Sequence, residues 1–330
     1  MKNAPSFLGY SRLSAEVTAG ALDHREQIDL STEHPVPGPE EPAYKNLQAP
    51  NQWPSAAHLP DFRPVFTDYM QRMGRMSVYF TSLIAEAIGL PATAFDKYFE
   101  PGDAQQHKLK VVRYPDAGEL GASGRAGNQG VGPHKDSMYT SYLLQASSHR
   151  GLQVQNTRGE WVDCPPVGGT LVVAVGQGLE ALTQGVCAST THRVLSPAAG
   201  AGPRYSIPFF QGVRPATEFA ELETVGVGRV PEAVRAQRRA ALELAGGRLD
   251  DVEFTFRTGG AATTLGEATL RNRVKSHPDV GERWYPDILA SVHEEQRAKK
   301  LAAEAEAEAR DEGAPHAESG GVEARAVEAH

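Results

Sequence analysis

The stretch THRVLSPAAGAGPRYSIPFF, residues 191–210, contains two short runs of β-branched and aromatic residues separated by a turn rich in proline and glycine. Runs bounded in this way are typical of β-strands. With similar runs upstream, the sequence predicts six strands: Leu109–Tyr114, Tyr139–Gln145, Leu152–Gln155, Leu171–Val175, Val186–Leu195 and Tyr205–Phe210. Because no helical pattern alternates with these strands, a sandwich or barrel is favoured over a doubly wound parallel sheet.

Helical patterns flank this β-rich region. Apolar side chains recur every three or four residues from Asp61 to Leu90, which predicts one long amphipathic helix. Further helices are predicted over residues 231–245, over about 265–275 and from Tyr285 onward. We expect these later helices to pack outside the sheet.

The same patterns predict how the chain is divided. Residues 1–60 are rich in turn formers and show no sustained periodicity, so we expect an irregular segment that packs on the core. Residues 61–290 are predicted to form the main domain, with its centre at about 105–215. Residues 291–330 carry charged and Ala-Glu-rich sequence, which predicts a solvated helix followed by a disordered tail.

Composition excludes several classes of protein. The 330 residues include 33 Lys+Arg and 41 Asp+Glu, a net charge of -8, so no chain-wide basic field is present to hold nucleic acid. The two cysteines, Cys164 and Cys187, are far apart in sequence, which excludes a disulfide scaffold and a thiolate zinc site. No apolar run is long enough for a membrane span, and no signal pattern opens the chain. We therefore expect a cytoplasmic protein with no nucleic-acid or membrane partner.

Three residues form a candidate metal site: His134 and Asp136 in an HxD triplet, and His192 in the later strand. Two imidazoles and one carboxylate can occupy one face of an octahedral metal, as in non-haem Fe(II) oxygenases. His134 and Asp136 point the same way if this segment is extended at the start of a strand. Taken alone, the three residues are also compatible with a chance grouping among 11 histidines.

The next strand adds Arg204 and Ser206, twelve and fourteen residues beyond His192. Residues two apart on a strand share a face, so the guanidinium and the hydroxyl can grip one carboxylate together. A 2-oxo acid needs such an anchor, since one end chelates the iron while the other is held at a fixed distance. A surface arginine beside a strand serine is the alternative interpretation of this pair.

The chain resembles the isopenicillin N synthase-like 2-oxoglutarate- and Fe(II)-dependent dioxygenases, over roughly residues 8–290. The segments that carry the resemblance follow one another in the family's order. They are Leu8–Tyr10, Asn51–Pro54, Gly130–Asp136, Gly151–Gln155, Glu160–Val162, Gly169–Val173, Gly176–Thr183, Thr191–Val194, Arg204–Ser206 and Ser276–Asp279.

The resemblance implies a mainly β fold with flanking helices, a double-stranded β-helix or jelly roll. It implies that Fe(II) is held by His134, Asp136 and His192, the catalytic centre, and that Arg204 and Ser206 hold the distal carboxylate of 2-oxoglutarate. Family members often place a tyrosine against this co-substrate, and Tyr114 matches that place. Because the family's usual asparagine two residues earlier is valine in this chain, a buried core tyrosine is an equal alternative for Tyr114.

The implied activity is oxidation of a small-molecule substrate by O2 and 2-oxoglutarate, with succinate and CO2 as co-products. Hydroxylation, desaturation and cyclisation all remain open, as does the oligomeric state. The rival functions are an oxidase that needs no co-substrate, an ethylene-forming enzyme and a non-catalytic jelly-roll binding protein. Family members also begin with further strands ahead of the segment matched by Gly9 and Tyr10, so we expect one sheet edge to be uncovered.

Overall fold

The computed structural model describes residues 1–18, 20–121, 128–221, 230–244 and 261–312. Twelve strands lie within these ranges: β1 Gly9–Ser11, β2 Val17–Thr18, β3 Ala21–Leu22, β4 Glu26–Ser31, β5 Lys108–Tyr114, β6 Gln129–His134, β7 Thr140–Gln145, β8 Leu152–Gln155, β9 Trp161–Asp163, β10 Val172–Val175, β11 His192–Leu195 and β12 Arg204–Gln211. The α-helices of the same ranges are α1 Phe62–Ala87, α2 Gln177–Leu182, α3 Glu232–Leu244, α4 Leu265–Ser276, α5 Pro278–Trp284 and α6 Pro286–Glu312.

The strands form two antiparallel sheets that face each other. The larger sheet has the order β1-β4-β5-β12-β7-β10, the smaller has the order β6-β11-β8-β9, and β2 and β3 form a separate hairpin. Apart from the pairs β4–β5 and β8–β9, neighbouring strands in these two sheets are not consecutive along the chain, as expected for a double-stranded β-helix. The predicted fold class, a mainly β jelly roll with flanking helices, is confirmed.

Helix α1 covers the outer face of the larger sheet. Its buried methionines pack on apolar residues of four strands, and this core consists of Leu30, Met70, Met73, Leu109, Tyr142 and Phe209. A second apolar group lies between the sheets and consists of Val112, Tyr114, Val131, Leu152 and Val194. Strand β5 contributes Leu109 to the first group and Val112 and Tyr114 to the second, because alternate side chains of a strand point to opposite faces. The inner group leaves space for a cavity.

The first 60 residues are more regular than predicted, because Glu26–Ser31 form strand β4 inside the larger sheet. Its inward residues, Gln27, Asp29 and Ser31, are polar yet almost fully buried. Polar and apolar residues alternate from Gln27 to Ser31, and both faces of the strand are buried, since Leu30 packs against α1 on the opposite face. This alternation is short and lies in a segment rich in turn formers, so the sequence did not predict a strand. Strand β1 lies at the sheet edge, where Tyr10 is 55% exposed.

Strand β11 is shorter than the predicted 186–195 strand and starts at His192. The preceding segment is instead tied to α2, since Ser189 donates its backbone N–H to Glu180 Oε2 at 3.0 Å. The predicted disordered tail lies outside the described ranges beyond residue 312. Among the described helices, none combines the length and apolar character required to cross a membrane.

Candidate active site

Strands β6 and β11 are neighbours, and their pairing brings the three candidate metal ligands together. His134 ends β6, His192 begins β11, and the two residues pair directly. Asp136 Oδ1 lies 3.6 Å from His134 Nε2, and Asp136 Oδ2 lies 3.8 Å from His192 Nε2. One ligand atom from each residue lies within 4.8 Å of the other two. The sequence placed the HxD triplet at a strand start, whereas it spans the strand end, with Asp136 beyond β6.

Backbone carbonyls orient both imidazoles. His134 Nδ1 lies 2.9 Å from the carbonyl oxygen of Gly132, and His192 Nδ1 lies 2.9 Å from that of Thr190. A carbonyl oxygen only accepts, so each Nδ1 donates its proton and each Nε2 keeps a lone pair. Burial, and then the nearby His192, lower the pKa of His134 to about 3. With each Nδ1 bound to a carbonyl, Nε2 is the ring nitrogen that can bind a metal ion.

Asp136 is held as an ionised carboxylate. Burial by itself raises its pKa, but His192, His134 and a hydrogen bond from the Ser141 hydroxyl together bring the pKa below its usual value. Its backbone oxygen accepts the N–H of Gln177 at 2.8 Å, at the start of α2. The Asp136 carboxylate is therefore held by Ser141 of β7, and the Asp136 backbone is held by Gln177 of α2.

The three residues open into a cavity of about 480 Å³ between the two sheets. Arg204, only 1% exposed, reaches the same cavity from β12. Its Nη2 donates to Gln145 Oε1 at 3.1 Å, while its Nε and Nη1 have no hydrogen-bond partner within the described part of the chain. The buried Ser206 lines the cavity from the same face of β12. A buried guanidinium with open donors is matched by a carboxylate.

Tyr114 lies directly opposite Arg204 in the β5–β12 pairing, and the Arg204 Cζ is 5.1 Å from the centre of its ring. The phenol is buried and also lines the cavity. Tyr114 packs in the apolar core between the sheets and also borders the cavity that the three candidate metal ligands line.

The donor set fits iron and a 2-oxo acid. Two imidazole nitrogens and one carboxylate oxygen on one side of a cavity are the ligands of a facial triad. The open donors of Arg204 provide an anchor for a carboxylate in the same cavity. The arrangement can thus hold a divalent metal and a chelating acid next to a third molecule.

Sequence reasoning missed most of the polar lining of this cavity. Lys108 and Lys110 line it from β5, Glu16 and Arg25 from the first 30 residues, and Arg273 from α4, which was expected to pack outside. Of these residues, only Lys108 and Lys110 could have been predicted from the sequence, because they share one face of β5 with Val112 and Tyr114. The other contributions depend on contacts between distant parts of the chain.

Comparison with known families identifies two matching regions. Residues 106–213 match the 2OG-Fe(II) oxygenase superfamily, and residues 1–56 match the N-terminal region described as non-haem dioxygenase in morphine synthesis. The first region contains the metal triad, Tyr114 and Arg204.

Two fungal proteins are similar over most of their length. The chain is 64% identical to the 2-oxoglutarate-dependent dioxygenase frbJ of Dothideomycetidae sp. (strain 11243), over 92% of this chain and 80% of that protein. It is 38% identical to a 2-oxoglutarate-dependent dioxygenase of Gibberella zeae, over 89% of this chain and 76% of the relative. Among solved structures, a full-length Neurospora crassa protein in complex with alpha-KG and 5-formyluracil superposes with a TM-score of 0.52 at 25% identity, over 65% of this chain and 63% of that one.

Proposed function

Since the chain belongs to the 2-oxoglutarate- and Fe(II)-dependent dioxygenases, we propose that His134, Asp136 and His192 hold its iron. Arg204 and Ser206 then hold the distal carboxylate of 2-oxoglutarate, with Tyr114 packed beside them. The enzyme is an oxidoreductase that uses Fe(II), 2-oxoglutarate and O2. The observation that carries the residue assignment is the buried Arg204, whose open donors face the cavity bordered by the triad.

Iron with its co-substrates supplies the oxidant that breaks a substrate C–H bond. The chain's own residues prepare the site for this chemistry. The carbonyls of Gly132 and Thr190 bind the Nδ1 atoms and so orient both Nε2 atoms toward the metal position, and the Ser141 hydroxyl donates to the Asp136 carboxylate. Arg204 fixes the co-substrate at one end of the cavity. The apolar side chains between the sheets, among them Leu152 and Val194, limit access of water to this end.

The substrate is a small organic molecule, and its oxidation is a hydroxylation, desaturation or cyclisation. The two fungal relatives support a reaction that depends on 2-oxoglutarate over one that needs no co-substrate. They also support a catalytic protein over a non-catalytic binding protein. Substrate-coupled release of succinate separates the proposed reaction from that of an oxidase.

The assignment is tested by anaerobic titration of the metal-free protein with Fe(II) and then 2-oxoglutarate. We expect the visible charge-transfer band of an iron-chelated 2-oxo acid. Asp136→Ala should remove the band, whereas His58→Ala, a change at an exposed histidine, should keep it. Iron binding without a band would contradict the co-substrate assignment, and an unchanged band in Asp136→Ala would contradict the ligand assignment.

A further inference from the structure

Strand β5 continues beyond the co-substrate anchor with two lysines that point into the cavity. Lys108, Lys110, Val112 and Tyr114 alternate along one face of β5, and all four line the cavity. At about 3.3 Å per residue, Lys108 lies about 20 Å along the strand from Tyr114. The lysines thus occupy the end of the cavity wall away from Arg204.

The sheet register places this end beside the metal triad. Lys108 pairs with Phe210 of β12, and Phe210 pairs with Ser141 of β7, whose hydroxyl binds Asp136. Two strand spacings of about 4.8 Å put the backbone of Lys108 about 10 Å from that of Ser141. A small molecule held by the lysines therefore lies within reach of the metal.

Positive charge exceeds negative charge at this wall. Lys110 Nζ and Arg273 Nη1 share one carboxylate oxygen, Asp29 Oδ1, at 3.6 and 3.2 Å. Lys108 Nζ donates to the backbone oxygen of Leu47, and no carboxylate of the described residues forms an ion pair with it. Among the described residues, Asp29 is therefore the single carboxylate that forms an ion pair with these three cations, while the charge of Glu16 also acts on Lys110 and raises its pKa.

Burial makes this excess costly in the absence of an anion. It lowers the pKa of Lys108 to about 7, with Arg273 acting in the same direction, and it also lowers the pKa of Lys110. A buried ammonium without a counter-charge is unfavourable, and an anion bound beside it removes the penalty.

The acidic groups of the same region are already paired, so the wall offers no equivalent site for a cation. Glu16 accepts from Arg25 at 2.6 Å and from Gln27 at 2.7 Å, and lies 3.1 Å from His277 Nε2. Asp29 binds Gln27 at 2.6 Å in addition to its two cations. The ammonium groups of Lys108 and Lys110 are therefore the groups at this wall that can donate further hydrogen bonds to a ligand.

We propose that Lys108 and Lys110 form a subsite for a carboxylate of the substrate, so that the enzyme oxidises a small carboxylic acid. This inference rests on the proposed function, because it takes Arg204 as the anchor for 2-oxoglutarate. The two carboxylates then occupy opposite ends of the β5–β12 pair. The acid group fixes the orientation of the substrate, and the carbon to be oxidised faces the triad.

The test uses the full-length protein loaded with Mn(II) and 2-oxoglutarate without O2, so that ligands bind without turnover. Its melting temperature is measured with a panel of carboxylic acids, including the free amino acids, and with the primary amide of each. A ligand that binds only the folded state raises the melting temperature. We expect at least one acid to stabilise the protein while its amide does not. Equal effects of acid and amide throughout, or stabilisation by inorganic phosphate alone, would overturn the subsite.

Variants then locate the binding. Lys108→Met and Lys110→Met should each weaken binding of the active acid at least tenfold, and Lys110→Arg should restore most of it. Arg113→Met is the matched control, because it removes a positive charge from β5 outside the cavity lining. In the lysine variants, the affinity for 2-oxoglutarate should differ from that of the wild type by less than twofold. This affinity is measured separately, by the charge-transfer band of the iron form. Loss of that band in the wild-type protein would count against the proposed function, whereas unchanged acid binding in both Met variants would refute the subsite alone.

Discussion

Two arginines on either side of the β11–β12 turn show how contacts separate a structural residue from a functional one. Arg193 lies over the Trp161 ring at 4.1 Å and donates to Gln153 Oε1 at 2.8 Å, so its guanidinium is stacked and bonded within the protein. Arg204 is more deeply buried, yet two of its nitrogens have no partner among the described residues. A buried charge with open donors is costly for folding and is explained by a bound carboxylate.

Arg204→Met should weaken 2-oxoglutarate binding by about 10- to 100-fold, because a charge-assisted hydrogen bond contributes about 1.5–3 kcal/mol. The same substitution should leave Fe(II) affinity close to that of the wild type. Both constants follow from anaerobic titrations. Arg150→Gln, at an arginine whose side chain is 72% exposed, should change neither. An unaltered affinity for 2-oxoglutarate in Arg204→Met would place the anchor elsewhere.

Alanine at His134, Asp136 or His192 should reduce bound iron and succinate formation by about 100-fold or more, since removing even an outer-shell partner costs 10- to 100-fold. Metal analysis after gel filtration measures the first quantity, and succinate release measures the second. Each variant should retain the circular dichroism spectrum of the wild-type fold. Full activity in any one of them would remove that residue from the ligand set.

Residue types and spacing predicted a set of candidate site residues, and the structure brings this set together. The HxD triplet, the later histidine and the Arg-x-Ser pair all line one cavity. Ser141 was missed, because its bond to Asp136 depends on the turn between β6 and β7 and a serine has no distinctive pattern. Lys108 was missed because a strand that begins with lysine is usually interpreted as solvent-exposed.

Among the elements, the turn into α2 controls the position of Asp136. A Cβ at Gly176 would lie 2.0 Å from the backbone oxygen of Met138, so only glycine fits there. The next residue, Gln177, donates its backbone N–H to the carbonyl oxygen of Asp136. The close approach of the two segments thus fixes one metal ligand.

Gly176→Ala should lower the free energy of unfolding by about 3 kcal/mol, the upper end for overpacking a tight contact. It should also weaken Fe(II) binding, because relief of the clash moves the 136–139 segment. Urea denaturation and metal titration measure the two effects. Gly168→Ala is the control, since a Cβ there meets no atom within 4 Å. Equal stability of the two variants would contradict the packing argument.

Elements were predicted well where their pattern was regular. Strands β7, β8, β10 and β12 agree with the predicted segments to within one residue at each end, and the predicted long helix includes α1. Strand β4 was missed because its alternation is short and lies within a segment rich in turn formers. The inward position of α4 was missed because it depends on packing against residues 43–47, far away in sequence, and periodicity carries no information on such contacts.

For the whole molecule, one buried histidine links stability to pH. Burial lowers the pKa of His107 to about 4, from 6.5. The unfolded chain therefore takes up a proton at this side chain before the folded protein does, and stability is lost as the pH falls from 6.5 to about 4. The difference of 2.5 pH units corresponds to at most about 3 kcal/mol.

His107→Asn should accordingly lower stability near neutral pH but flatten its decline between pH 6.5 and 4. The measurement is urea unfolding of the variant and the wild type across this range, compared as a difference so that other titrating groups cancel. His58→Asn, at an exposed residue, should reproduce the wild-type curve. Parallel declines for His107→Asn and the wild type would show that protonation of His107 is not linked to unfolding.

In the proposed assignment, one sheet supplies both histidine ligands of the metal and the other supplies the anchor of the co-substrate. Both histidines come from the smaller sheet, whereas Arg204 and Ser206 come from the larger one. The distance between the two sheets therefore determines the length of 2-oxo acid that can reach from the metal site to Arg204. Side chains such as Val112 and Leu152 are packed between the sheets and help to fix this distance. Substitutions that change their size should therefore change which chain length of 2-oxo acid the enzyme accepts.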